Sequence, residues 1–466
     1  MATPEELRAP RPSIVDHGRS AFAMAKAILN GADERTRTQR DALIAFMVRV
    51  ASAAILYLSQ VVLARWMGGH EYGIYVFVWT WVLVLGGLSP LGLNTVMLRM
   101  GPEYRERGQH DLLRGLLVWA RAGAVALSTV ITGIALVVLY VFQGALAGPY
   151  LLPAFLAVFC VPLYALAEVN DGVGRGNAWM GLALVPIYII RPILILVFMV
   201  LAFAWGWPTQ ATTAAGAAVL ATFAATLIQH VALSRRLRKV VAPGPRRTAF
   251  VPWFQMSLPM LVILACEIVL QTADVLIVSR YMTPLDVGIY FAAAKTMALI
   301  MFVHYAVGSA VANRFAALNA RGATAELQAF VRDAVNWTFW PSLAGALAIL
   351  VLGHPLLWLF GPQFTAGYPV MFILVLGFLG RAAMGPSEFL LNMVGEQRAC
   401  AMVLGFTALS NIALNFALVP VYGLHGAASA TAISLVMAAL LNYVVVRRRL
   451  QIDMSIWANL GIGQRR

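Results

Sequence analysis

Five basic residues, Arg49, Arg121, Arg191, Lys295 and Arg381, stand inside stretches of sequence that are otherwise almost wholly apolar. At the centre of a membrane helix each such charge costs roughly 2.5–3.5 kcal/mol on insertion scales, so these residues face protein, a polar cavity or an opposite charge rather than lipid. Near a helix end a long side chain can reach the interface and escape most of that cost. Arg121 stands near such an end, whereas Arg191 and Arg381 fall close to mid-stretch. A guanidinium presents a planar fork of donors that matches phosphate oxygens, and an ammonium presents a compact point charge. Together the five suit the binding of an anionic group inside a cleft. An ion pair within the bundle, or a helix cap, is the alternative for each.

The acids keep that alternative open. Glu267, Gln271 and Asp274 are spaced i, i+4 and i+7, which puts them on one face of a helix. Glu267 and Asp274 could pair with Lys295, or could carry a coupling H+ or Na+. Glu168 and Glu388 fall near the ends of their apolar stretches and read as gate or interface residues. Asn411 and Asn415 share a helical face, where hydrogen bonding between helices is the usual role and sugar contact the alternative. His304 reads as a packed histidine. Trp79, Trp81, Trp205 and Trp207 read as interfacial belt or bundle packing. Cys160, Cys266 and Cys400 lie in apolar runs without metal-ligand spacing and read as small buried hydrophobes. No catalytic cluster and no metal or organic cofactor is expected.

The elements that must position these residues are membrane helices. The chain is 61% hydrophobic and 12% charged, about half the charge of a soluble domain. Apolar runs of about 20 residues recur along its length, each enough to cross a bilayer as a helix. Spanning strands would instead show alternating segments of roughly 10 residues, and none is apparent. The pattern predicts an all-α polytopic membrane protein with about twelve transmembrane helices in two parallel six-helix lobes around a central cleft. Spans are expected at roughly 43–64, 73–97, 116–142, 151–169, 178–204, 210–233, 252–279, 284–311, 335–353, 367–390, 400–420 and 424–446. This gives an N-terminal tail (1–42), an N-lobe (43–233), a basic linker (234–250), a C-lobe (251–446) and a C-terminal tail (447–466). The tail has no signal-peptide pattern, and residues 20–30 within it could form a short interfacial helix.

Charge distribution orients the chain. Both tails and every second connection hold 27 of the 34 Lys and Arg, while the other connections hold only Arg65 and Arg280. The positive-inside rule then places both termini in the cytoplasm, which requires an even number of spans. A net charge of +14 would suggest nucleic acid in a soluble protein. Here topology and anionic lipid headgroups account for it, and no nucleic-acid partner is expected. The linker carries Arg235, Arg236, Arg238, Lys239, Arg246 and Arg247 with no acid, and is expected to lie near anionic lipid.

An internal repeat supports the two lobes. Residues 63–75 (LARWMGGHEYGIY) align without gaps on 278–290 (VSRYMTPLDVGIY). Arg65 meets Arg280, Met67 meets Met282, Glu71 meets Asp286, and Gly73-Ile74-Tyr75 meets Gly288-Ile289-Tyr290. Gly216-Ala217-Ala218 echoes Gly426-Ala427-Ala428. These turns read as tight connections with interfacial anchors. Parallel repeats are related by an axis along the membrane normal, with a cleft between them. The buried charges do not repeat: Glu267, Gln271 and Asp274 align with Ser52, Leu56 and Ser59.

Three stretches carry a family resemblance. Gln60 to Tyr75, Asp274 to Ala294 and Asn411 to Ala428 resemble the first-to-second, seventh-to-eighth and eleventh-to-twelfth helix turns of polysaccharide (O-antigen and exopolysaccharide) flippases. These belong to the multidrug/oligosaccharidyl-lipid/polysaccharide exporter superfamily. The resemblance covers roughly residues 43–446, and the long N-terminal tail departs from it. It implies alternating access between two lobes and transfer of a polyprenyl-diphosphate-linked oligosaccharide from the inner to the outer leaflet of a bacterial inner membrane, for cell-surface polysaccharide biosynthesis. It also implies polysaccharide polymerase or assembly proteins as partners. Rival readings are a multidrug or toxin extruder of the same superfamily, a membrane polysaccharide polymerase or ligase, and a non-transporting scaffold. Cationic drugs would favour an acidic or aromatic cavity over five bases. A polymerase would need a platform that the short outer loops do not supply. A scaffold has no use for buried bases.

Overall fold

A bilayer core has no water to satisfy backbone groups, so a chain of long apolar runs closes its hydrogen bonds within helices. The computed structural model describes residues 34–144 and 148–459, with side chains described from Ala51 onward, and among these residues it is helical without a strand. Residues 1–54 form one unit, whose described part is the opening of the first helix; residues 55–466 form the helical body. The expected interfacial segment 20–30 lies outside the described residues. In the first half the helices are α1 (Glu34–Leu88), α2 (Leu93–Glu106), α3 (His110–Val141), α4 (Leu151–Ala157), α5 (Cys160–Gly176), α6 (Met180–Val185), α7 (Arg191–Ala204) and α8 (Ala211–Val240). The second half has α9 (Phe250–Tyr281), α10 (Pro284–Met297), α11 (Met301–Ala320), α12 (Thr324–Val351), α13 (Gly353–Phe360), α14 (Tyr368–Ala383), α15 (Ser387–Met393), α16 (Gln397–Leu450) and α17 (Ile456–Asn459).

Among the described residues nine helices are long and apolar enough to cross a membrane, and ten if α4 and α5, bent by 40°, are counted as one. At 1.5 Å per residue the 54 residues of α16 would reach about 80 Å, far beyond the ~30 Å hydrocarbon core. Both α1 and α16 are broken at a glycine whose backbone no helix accepts, Gly68 (φ 76°, ψ 164°) and Gly423 (φ 57°, ψ −131°). The chain turns back at each. Tyr72 donates to Gln60 Oε1 at 3.0 Å across the first break, and Gly426 lies against the Leu418 carbonyl across the second. A straight helix would hold either pair more than 10 Å apart.

Several spans expected to be continuous are interrupted, three of them at a proline. Pro90 separates α1 from α2, with Leu91 (φ 50°) and Gly92 (φ 77°) in the left-handed region. Pro386, behind Gly385 (φ 57°), separates α14 from α15. Between α6 and α7 the helix widens into a π turn over Pro186–Ile190. A proline has no amide hydrogen to give and its ring crowds the preceding turn, so each break has a local cause.

Helix ends also extend past the expected spans. Helix α1 begins at Glu34, inside the stretch expected as tail, and α8 runs to Val240. The non-helical linker is therefore 241–249 rather than 234–250. Arg238 and Lys239 occupy the last turn of α8, where cations complement the carbonyl end of a helix. The linker is strapped to the start of α3. Arg114 donates to Pro245 O and Ala242 O, both at 2.9 Å, and the Arg247 amide donates to Asp111 O at 3.1 Å. The segment after α16 is likewise not a free tail as far as Asn459. It turns at Gln451 (φ 58°), buries Ile452, Met454 and Ile456, and ends with Asn459 donating to Arg332 O at 3.0 Å.

The two ends of the body are built differently. At the end that carries Gly68 and Gly423, here the glycine end, one apolar core takes residues from both halves, including Leu63, Tyr72, Ile74, Val278, Tyr290, Phe360 and Phe364. The aligned turns of the repeat meet there. A Cβ on Gly73 would run into the Pro284 carbonyl, and one on Gly288 would lie 3.1 Å from Gly69 O. Arg65 donates to Trp358 O and Leu359 O, each at 2.8 Å, and lies 4.4 Å from the Trp358 ring centroid. At the opposite, basic end the cores are separate. One gathers Phe315, Phe330, Leu390 and Met454, and the other gathers Val96, Leu116, Val169 and Trp253. Besides the linker, the start of α9 reaches across, with Trp253 donating to Tyr104 at 3.0 Å and Ser257 donating to Leu91 O.

Candidate functional site

In the first half the π turn over Pro186–Ile190 delivers Arg191 into the bundle at mid-span. Such bulges recur at functional sites because they re-aim a side chain without ending the helix. Arg191 is 7% exposed, and its guanidinium lies 5.4 Å from the Trp79 ring centroid and 5.2 Å from that of Tyr164. Among the described residues no carboxylate oxygen approaches it within 4.0 Å, and its Nη1 has no hydrogen-bond partner. Glu168, one turn beyond Tyr164 on α5, shares its electrostatic field with Asp171, Arg175 and Arg191. Asp171 itself is paired with Arg175 at 2.5 Å.

Arg121 is placed differently from the expected snorkelling side chain. It donates through Nε to Asn170 Oδ1 at 3.0 Å and through Nη1 to Ser234 Oγ at 3.3 Å. It therefore ties α3, α5 and α8 together from the inside. The side chain of Arg49 lies outside the described residues, although its position is on α1.

In the second half, Asp274 on α9 is 8% exposed and well satisfied. It accepts from Tyr290 Oη at 2.7 Å, from the Val275 amide at 2.8 Å and from Thr431 Oγ1 at 3.5 Å. Lys295, at the end of α10, lies in the field of Asp274, with Nζ 5.1 Å from the Phe291 ring centroid. No carboxylate oxygen lies within 4.0 Å of it among the described residues, and it is exposed although it stands mid-span. Glu267 and Gln271, on successive turns of α9, are exposed too. Glu267 shares a field with Arg381 and Glu388 rather than with Lys295. Of the two expected partners of Lys295, only Asp274 is brought near it.

Arg381 is committed to an ion pair. Its Nη2 donates to both carboxylate oxygens of Glu388, at 2.7 and 2.6 Å, and His304 Nε2 lies 3.3 Å from Glu388 Oε1. The break at Gly385 and Pro386 turns α15 so that Glu388 can reach back to Arg381. Tyr305 and Phe389 flank the histidine ring at 5.9 and 6.2 Å. Sequence reasoning missed this Arg-Glu-His cluster, the placement of Trp79 beneath Arg191, and the Glu168–Asp171–Arg175 group. The only available signal was that Glu168, Asp171 and Arg175 recur at helical spacing. Asn411 donates to Ser434 Oγ at 3.1 Å across the Gly423 break, the interhelical role, while Asn415 donates to Asn411 O at 2.9 Å within its own helix. The turn acids cap helices: Glu71 accepts from the Ala211 amide at 2.8 Å, and Asp286 forms a capping box with Thr283. Among the described residues no three His, Cys, Asp or Glu are grouped to hold a metal ion.

The arrangement is thus a body closed at one end by a shared core, with Arg191 and Lys295, one in each half, as mid-span cations that among the described residues have no carboxylate within 4.0 Å. The sequence matches the family model for polysaccharide biosynthesis proteins over residues 39–317 and the model called MatE over residues 259–417. No curated protein matches it. The fold is similar to that of an inward-facing multidrug resistance MATE family transporter of the MOP superfamily, with TM-score 0.69 and 13% identity over 87% of this chain and 98% of that one. It is similar to lipid II flippase MurJ in an inward closed conformation, with TM-score 0.67 and 15% identity over 87% of each chain. It also resembles a MOP superfamily transporter from Pyrococcus furiosus described as having a binding pocket of reverse polarity (TM-score 0.62, 16% identity, 91% and 97% covered).

Proposed function

The chain belongs to the polysaccharide biosynthesis protein family of the MOP superfamily, and from that premise we propose that it flips a polyprenyl-diphosphate-linked oligosaccharide across a bacterial inner membrane by alternating access. The observation that carries this reading is the state of Arg191 and Lys295. Each stands mid-span with no carboxylate within 4.0 Å among the described residues, so their charge is left for an incoming anion. A diphosphate supplies that charge together with oxygens for the guanidinium fork. The lipid tail stays in the bilayer while the head and sugars cross. Arg121 and Arg381, already engaged by Asn170 and Glu388, hold the walls.

In this reading the ten span candidates become twelve crossings, because α1 and α16 each cross twice. The lobes comprise residues 43–233 and 251–446. The basic end faces the cytoplasm, with both termini there, and its arginines lie against anionic lipid. The shared core at the glycine end and the separate cores at the basic end favour a resting state open to the cytoplasm, where the substrate is made. Asp274, held by Tyr290 and near Lys295, is the coupling acid for H+ or Na+, with Glu267 as its companion. Polymerase or assembly proteins receive the flipped product.

Drug extrusion is the second reading, favoured by the MatE match over the second half and by the exposed Glu267 in the cleft. Conditional depletion separates the two. Lipid-linked sugars are followed by leaflet while the protein is withdrawn. Accumulation on the cytoplasmic face is expected; normal delivery to the outer face with no other flippase present would refute the flippase reading.

A further inference from the structure

We propose that Glu267, Gln271 and Tyr305 form the subsite for the sugar head, and that this wall favours neutral or amino sugars over acidic ones; the proposal rests on the flippase reading above. Glu267 and Gln271 sit one turn apart on α9 and are both exposed, although their helix crosses the membrane. A carboxylate facing hydrocarbon is strongly disfavoured, so this face borders the polar cleft. Glu267 is the acid of that face with open acceptor sites. Asp274, two turns on, is saturated by Tyr290 and Val275, and the fork of Arg381 is occupied by Glu388 at 2.6 Å.

Tyr305 on α11 completes the wall. It packs on His304, which lies 3.3 Å from the Glu388 carboxylate paired with Arg381, and Glu267 shares the field of that pair. Its ring is held edge to face by His304 at 5.9 Å and Phe389 at 6.3 Å, yet the residue remains 48% exposed. A rigid aromatic face next to a free carboxylate and a free amide is what a sugar requires. The C–H face of the ring packs on the aromatic, and the hydroxyls donate to the carboxylate and amide oxygens. An unpaired carboxylate also selects, because it repels a uronate and attracts an ammonium. In the repeat register Glu267 and Gln271 correspond to Ser52 and Leu56, so the feature belongs to one half and is not part of the duplicated scaffold. Phosphate binding therefore falls to Arg191 and Lys295, one in each half, and sugar reading to this wall of the second half.

The test uses the full-length protein in lipid nanodiscs and three probes: farnesyl diphosphate, a polyprenyl-diphosphate-linked neutral sugar, and the same lipid carrying a uronic acid. Tyr305→Ala is expected to weaken binding of the neutral lipid-linked sugar by about five- to tenfold and to leave farnesyl diphosphate unchanged. Tyr305→Phe keeps the ring and is expected to bind like the parent, which guards against loss of fold. Glu267→Gln is expected to erase the preference for the neutral over the acidic sugar. If Tyr305→Ala and Glu267→Gln both bind all three probes as the parent does, the subsite is refuted. The double variant Arg191→Ala/Lys295→Ala reads the parent hypothesis separately. It should lose farnesyl diphosphate, and retention would refute the diphosphate reading while leaving the sugar-dependent comparison to stand or fall by itself.

Discussion

Gly73→Ala is the smallest change that should shift the carrier between its states. The Cβ it adds would penetrate the Pro284 carbonyl and lie 3.1 Å from the Gly288 amide nitrogen, where the two repeat turns meet. Within its own helix the alanine is favourable by roughly 0.5–1 kcal/mol, so any penalty arises across the joint. Forcing a methyl into a packed contact costs about 1–3 kcal/mol. That penalty applies only while the glycine end is closed, so it shifts the closed-to-open ratio by about five- to 150-fold. Accessibility reads this directly. With Cys160, Cys266 and Cys400 replaced by serine, a single Gln271→Cys reporter is labelled by an impermeant maleimide added from outside. Labelling should rise at least fivefold in Gly73→Ala. Gly133→Ala, whose Cβ meets nothing within 4 Å, is the control. If the two variants label equally and transport at the parental rate, the turns do not form the closure.

Three further outcomes are expected. Arg191→Ala should reduce flipping by about tenfold or more while the protein still inserts, and Arg191→Lys should recover only part because an ammonium cannot present a fork between Trp79 and Tyr164; leaflet-resolved lipid analysis measures both. Asp274→Asn should leave substrate binding intact and abolish transport driven by an imposed H+ or Na+ gradient in proteoliposomes, and gradient-driven flux at the parental rate would remove Asp274 from coupling. Ending the chain at Leu450 should lower the thermal midpoint of the purified protein, since Ile452, Met454 and Ile456 together bury apolar surface worth about 5 kcal/mol; an unchanged midpoint would show that the segment does not dock.

Much of the fold was legible because a bilayer reads the sequence as coarsely as hydropathy does. Twenty-residue apolar runs had to be helices, and Arg65 and Arg280 were conspicuous as the two bases in the connections of the other side. The repeat also was legible, but its meaning was not. Gly73 and Gly288 looked like turn residues, and only packing shows that they lie against each other. Local breaks hid inside apolar windows, since Pro90 and Pro386 hardly change the mean hydropathy of a span while they redirect its course. The site suffered most from this. Glu388 reaches Arg381 because the chain turns at Gly385, and the partner from a third helix, His304, carries no periodic mark. The docking of residues 451–459 was missed because Ile452, Met454 and Ile456 alternate with polar residues in a segment too short to register as an element.

The single core at the glycine end has an energetic consequence for the cycle. Opening that end separates Tyr72 from Phe291, Phe360 and Phe364, and exposing a buried aromatic ring to water costs roughly 1.5–3 kcal/mol. At the basic end the described residues that join the halves are fewer: Trp253, set in the first-half core, and Ser257. With the basic end toward the cytoplasm, as proposed, the empty carrier would be expected to fall back to its loading state without assistance. The gradient or the cargo is then needed for one stroke only, the outward one, and the return is a relaxation.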